Sequence, residues 1–208
     1  MPKTWSLMSR LLPASLMVVS MLGPAWAQQS PTVRIRGTIE AIDGSLLAVK
    51  SREGTEMKVR LTDNVAVFGV AKTAISEIKP GSYIGVSAMP EPDGTQRALA
   101  VQIFPESQRG VAEGFRPWDL RPNSTMTNAT VAETVAGTDG QIILVKYKDG
   151  EKKVVVPPDT PIVSFVAGDK SVLKPGAKII IFSATRKEDG TLEAARVNVG
   201  RDGITPPM

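Results

Sequence analysis

The residues best suited to chemistry lie together near the middle of the chain, in GFRPWDLRPNSTMTN, residues 114–128. Phe115 and Trp118 offer flat apolar faces, Arg116 and Arg121 rigid cationic forks, and Asp119 a carboxylate. Trp and Arg dominate many recognition surfaces, the first through large contact area and the second through paired N–H donors. A Trp flanked by Arg and Asp can stack on a sugar ring or a partner's side chain, with NSTMTN supplying hydrogen bonds. The same residues can equally form a strap. Trp118 and Phe115 would then pack into a groove between domains, with Arg116 or Arg121 paired to Asp119. Both readings are open at this level.

A second cluster is KYKDGEKK, where Tyr147 sits among Lys146, Lys148, Lys152 and Lys153. Single-stranded nucleic acid would need such a mixture of aromatic and cation. Asp149 and Glu151 interrupt it, however, so a solvated hairpin tip that resists edge pairing is the plainer reading. The corresponding residues of the first half, Lys50, Glu56, Lys58 and Arg60, include no aromatic. Nucleic acid is not expected as a partner.

The chain has no Cys and no His. That excludes Ser-His-Asp and Cys-His nucleophile systems and imidazole or thiolate zinc sites, leaving only oxygen ligands for a hard cation. The carboxylates Glu113, Asp119, Glu188 and Asp189 lack the spacing of a calcium loop, and no nucleophile–base pair is evident. The expectation is a non-catalytic protein without cofactor or metal site. The candidate binding residues are Phe115, Arg116, Trp118, Asp119, Arg121 and Tyr147.

These residues need elements to hold them, and the ends of the chain come off that account first. Residues 1–27 carry Lys3 and Arg10, then the apolar run LLPASLMVVSML, then AWA, the three parts of a cleavable export signal. The run is too short to span a bilayer. Cleavage near Ala27 predicts a periplasmic or secreted protein without a transmembrane span. It also leaves 23 basic against 21 acidic residues, because Lys3 and Arg10 are lost from the 25 Lys+Arg. Trp5 and Trp26 leave too, making Trp118 unique in the exported chain.

The remainder is self-similar. Residues 77–103, EIKPGSYIGVSAMPEPDGTQRALAVQI, align with residues 172–199, VLKPGAKIIIFSATRKEDGTLEAARVNV. Upstream, GTIEAIDGSLLAVKSREGTEMKVRL aligns with ATVAETVAGTDGQIILVKYKDGEKKVVV. Within each copy the apolar period is two, as in Val33, Ile35, Ile39 and Ala41, or Met57, Val59 and Leu61, which is the mark of strands with one buried face. Asp43-Gly44, Asp93-Gly94, Asp149-Gly150 and Asp189-Gly190 mark hairpin turns. Each copy reads as three strands, a short helical or irregular piece ended by Lys-Pro-Gly, and two strands. That is the order of the five-stranded OB barrel, with an open sandwich as the competing architecture.

On Gly37–Gly44, Ile78–Gly81 with Asp93–Ile103, and Leu173–Gly176 with Asp189–Val199, each copy resembles a small bacterial OB-type domain of unknown function found in exported and envelope proteins. The resemblance implies an all-β fold of two tandem OB-like barrels, residues 32–104 and 129–200. Residues 105–128 would join them as a long Pro- and Trp-containing linker, and residues 201–208 would form a flexible tail. The expected role is that of an envelope binding or adaptor protein, with an envelope protein or glycan as partner. The alternatives are a purely structural or stress-related protein, or one that binds an oligosaccharide or cation.

Overall fold

The computed structural model describes Met1 and residues 32–208. The expected export signal, Met1 apart, lies outside the described residues. The described chain is all-β, with twelve strands and three single-turn 3-10 helices. The strands are β1 (Thr32–Asp43), β2 (Leu46–Ser51), β3 (Glu56–Lys72), β4 (Tyr83–Pro90), β5 (Gln96–Ile103) and β6 (Gly114–Pro117). They continue as β7 (Thr125–Gly137), β8 (Gly140–Tyr147), β9 (Gly150–Val156), β10 (Ile162–Ala167), β11 (Lys178–Arg186) and β12 (Leu192–Gly200). Among the described residues, no helix is long and apolar enough to cross a membrane.

Local chemistry sets the turns in both copies alike. In Asp93-Gly94-Thr95 the Asp93 carboxylate accepts from the Thr95 backbone N–H and hydroxyl, and Asp189 does the same for Thr191. Gly94 and Gly190 supply the left-handed backbone, φ 83° and 81°, which a side chain would oppose. The short pieces before Lys-Pro-Gly become the 3-10 turns Ile75–Glu77 and Lys170–Val172. Expected outward residues Lys50, Glu56, Lys58 and Arg60 are exposed, and Val59 and Leu61 are buried. Ala41 departs from the pattern. A bulge between Ile39 and Ala41 adds a residue and reverses the alternation, leaving Ala41 exposed.

The pairing departs further from the expected boundaries, because neither half closes on itself. Strands β1, β2 and β3 close into a barrel with β12 and β11, the last hairpin of the other half. The β1–β11 pair is antiparallel and the β3–β12 pair parallel, so the strand order is that of an OB barrel. Strands β7, β8 and β9 form a second ring with β5 and β4, completed by a short parallel seam of Gln96 with Val154 and Arg97 with Val155. The Lys-Pro-Gly turns lock the exchange reciprocally. The Gly81 amide donates to the Val131 carbonyl and the Gly176 amide to the Ile39 carbonyl, each at 2.8 Å.

The exchange is two-fold symmetric in register. Leu192 with Val59 and Glu193 with Arg60 repeat the Gln96–Val154 and Arg97–Val155 pairs, 95 or 96 positions apart. Strands β3 and β10 cross antiparallel at the centre, where Val70 faces its own counterpart Phe165. Three apolar cores follow from this. One fills the first barrel around Ile39, Leu47, Val59 and Ile181, and another fills the second ring around Ile84, Ile143, Val145 and Val154. The third lies between them, around Val70, Ala100, Met126, Phe165 and Ile180. Each fully buried aliphatic contributes roughly 1.5–3 kcal/mol, so the seam is as much a core as the rings it joins.

Residues 201–208 are not a loose tail. Met208 is 2% exposed in the central core, Arg36 Nε donates to its carbonyl, and Arg52 donates to the Pro206 carbonyl. The apolar Ile204 and Met208 supply the burial that the short length concealed.

Candidate ligand cavity

The segment between β5 and β7 is ordered by contacts from both sides. Arg109 makes a bidentate pair with Glu106 and donates to the Gly81 carbonyl. The Tyr83 hydroxyl and Asn128 Nδ2 both donate to the Val111 carbonyl, at 3.1 and 3.0 Å. Burial, then the nearby Glu113 charge, pushes the Tyr83 phenol up to about 12, so it remains a donor. Ala112 adopts φ 48° and its carbonyl accepts from Arg116. β6 then pairs with β7, Phe115 opposite Thr127. The expected strap therefore contains a strand, and its last residues, from Thr125, belong to β7.

Trp118 is half-buried against the central core, 6.3 Å from Phe182 between ring centroids. The Arg34 guanidinium lies 3.6 Å from its ring centroid and that of Arg116 5.6 Å. Asp119 pairs with Arg34 at 2.6 Å and Arg36 at 2.7 Å. The expected partners, Arg116 and Arg121, do not take this role, because the segment returns across β1 and meets the strand arginines first. Burial raises the Asp119 carboxyl, but the hydrogen bonds and charges of Arg36 and Arg34 outweigh it and hold the group at about 2.

Beside Trp118 opens a cavity of about 380 Å³. Phe104 from the end of β5, Phe165 from β10, Phe182 from β11 and Trp118 form its flat walls, and Arg34, Arg116 and Arg196 its charged margin. Gln102, Asn128 and Ser183 add neutral polar groups. Phe104 is set by Tyr83 and Phe165, at 5.2 and 5.9 Å between centroids. Gly85 gives it room, since a Cβ there would lie 3.2 Å from the Phe104 ring and 2.9 Å from Asn128 Oδ1.

The arginines are unequally committed. Arg34 is paired with Asp119, yet its Nε is buried without an acceptor, as is the indole N–H of Trp118. Arg196 lies over Phe68 at 4.2 Å, with hydrogen bonds to the side-chain oxygens of Gln108 at 2.7 Å and Asn198 at 3.4 Å. Neither Arg116 nor Arg196 has an ion-pair partner among the described residues, and residues 2–31 contain no Asp or Glu. Burial pushes both guanidinium pKa values down, with Arg34 adding repulsion at Arg116. Both stay protonated, because Arg starts far above neutrality. With five N–H groups each, both retain donors for another acceptor.

Of the residues singled out in the sequence, Arg116 and Trp118 line the cavity and Asp119 braces its edge. Phe115 points away, 40% exposed with Lys152 Nζ 4.5 Å from its ring. Arg121 is exposed, its backbone held in a turn by Ser124. Tyr147 packs against the core of the second ring and does not line the cavity. In NSTMTN, Ser124 and Thr125 bond within the protein, while Met126 and Asn128 reach the cavity wall. Arg34, Phe104, Phe165, Phe182 and Arg196 were missed, because each reads as an ordinary strand residue. One signal could have found three of them. In β4 and β5 the counterparts of Phe182 and Arg196 are Ser87 and Ala100, and the counterpart of Phe165 is Val70.

A larger hollow of about 600 Å³ lies along residues 171–178 and 199–204. Its walls are turn residues and strand ends without an aromatic, so it lacks flat groups that would fix a ligand's orientation. Among the described residues no cluster of three acidic, His or Cys side chains could hold a metal ion. Comparison with protein-family models, curated proteins and solved structures finds no match for this chain.

Proposed function

We propose that the protein is an exported, non-catalytic binding protein of the bacterial cell envelope, and that the cavity beside Trp118 receives a small ligand. One observation carries this reading: four aromatic walls and unspent N–H donors converge where the two copies differ. Flat apolar walls with a few oriented polar groups are what small-molecule sites require, and about 380 Å³ falls within their ordinary range. The margin favours binding over proton transfer, since Arg guanidinium neither gives nor takes a proton near neutrality. OB-type barrels often bind on the face of the second and third strands, but here that face carries Lys50, Glu56, Lys58 and Arg60 without an aromatic to stack a ligand.

Trp118 provides the test. Ligand entry should change its fluorescence and raise the melting temperature, because a molecule bound only to the native state stabilises it by mass action. A panel of neutral, anionic and cationic small molecules, glycans and envelope extract should contain at least one such ligand. If emission and melting stay unchanged across the whole panel, the small-ligand reading fails. An adaptor role has its own support in the exposed Val111 and Phe115 on the same segment. A stoichiometric envelope protein captured by the exported chain, and lost on Phe115→Ser, would favour it.

A further inference from the structure

We infer that the cavity selects an organic anion, a carboxylate-type head on a flat or narrow apolar body, held jointly by Arg116 and Arg196; this rests on the cavity being the binding site. The wall of Phe104, Phe165, Phe182 and Trp118 would receive the apolar body. Arg34 and Arg36 share Asp119, whereas Arg116 and Arg196 enter the margin without a carboxylate. Each is partly desolvated, and each bonds only to neutral oxygens: Ala112 for Arg116, Gln108 and Asn198 for Arg196.

A guanidinium in this condition has lost water without gaining a counter-ion. An anionic head restores what was lost, and its hydrogen bonds are charge-assisted and therefore stronger than those of a neutral group. Cationic ligands are disfavoured by the same charges. A bare inorganic anion would leave the aromatic walls unused. The two arginines also come from different parts of the chain, Arg116 from β6 and Arg196 from β12. One head bridging them would tie the unrepeated segment to the first barrel.

Matched probes separate charge from shape. The acids 4-phenylbutyrate, octanoate and 2-naphthoate are to be compared with 4-phenylbutanol, octanol and 2-naphthylmethanol by calorimetry on the intact exported chain. At least one acid should bind tenfold or more tightly than its alcohol, a ratio of the order set by charge-assisted hydrogen bonds. Arg116→Gln and Arg196→Gln should each lose about tenfold for the acid and clearly less for the alcohol, with melting curves recorded to establish folding. Two variants are used so that either one failing to fold leaves the other informative. Alcohols binding as tightly as acids, or both folded variants retaining full acid affinity, would overturn the anion inference while the cavity stood as a binding site. No binding by any of the six, with Trp118 emission unmoved, would overturn the anion inference, and the cavity itself would fall only with the wider panel.

Discussion

Two equivalent hairpins of this protein carry different side chains toward its centre. β11–β12 brings Phe182 and Arg196 to the cavity, whereas β4–β5 places Ser87 and Ala100 at the corresponding positions, both fully buried. On the crossing strands, Phe165 stands against Val70 in the same way. The Asp-Gly-Thr turns, the ring cores and the reciprocal Lys-Pro-Gly contacts match between copies. At these positions β11–β12 is the open side, with aromatic and cationic groups at the cavity, and β4–β5 the closed side, with small buried residues. A duplicated fold can thus keep its architecture twice and build one asymmetric site.

The sharpest way to break this comparison is to give the closed side the open side's charge. Ala100→Arg should destabilise the fold by about 3 kcal/mol or more, because an unpaired guanidinium would enter a packed core. Urea unfolding measures it, and a loss below about 1 kcal/mol would mean that the two sides are physically alike. Next in size is Trp118→Ala, which removes a half-buried ring from the central core and should cost about 2 kcal/mol. An unchanged melting curve would separate Trp118 from the seam.

The smallest expected effect concerns Asp119, which braces the open side through Arg34 and Arg36. Its folded pKa, about 2, lies below the ordinary 3.8, so its stabilisation is complete above about pH 4 and disappears as pH falls toward 2. The carboxylate is half exposed, and solvent screening reduces the contribution to about 1 kcal/mol or less. Asp119→Asn should remove this part of the acid dependence. A variant whose acid unfolding profile matches the parent's would show that the pair does not hold the cavity edge.

Strand positions, hairpin turns and the two 3-10 turns were legible in the sequence because their causes are local. Asp-Gly-Thr selects its turn through a side-chain bond two residues away, and alternation states which face of a strand is buried. The choice of partner was not legible. The β4–β5 hairpin has nearly the same turn chemistry and alternation as β11–β12, so either satisfies either ring, and no local residue declares which ring it joins. The site was half legible for a related reason. Arg116 and Trp118 stood out in an unrepeated segment, but Arg196 is a lone charge between the buried Ala194 and Val197, where a bulge shifts the register of β12. Its significance depends on Phe68, Phe165 and Gln108, which only the tertiary fold brings near.

The hairpin exchange also makes covalent continuity dispensable. Each half contributes strands to both closed rings, so the chain between β5 and β7 is not what keeps the halves together. A peptide bond severed at the exposed residues 121–123 would leave two fragments still clasped through six strand pairings between β1–β5 and β7–β12. Wherever proteases reach that segment, such a molecule would tolerate a nick where a pair of separately folded domains would come apart.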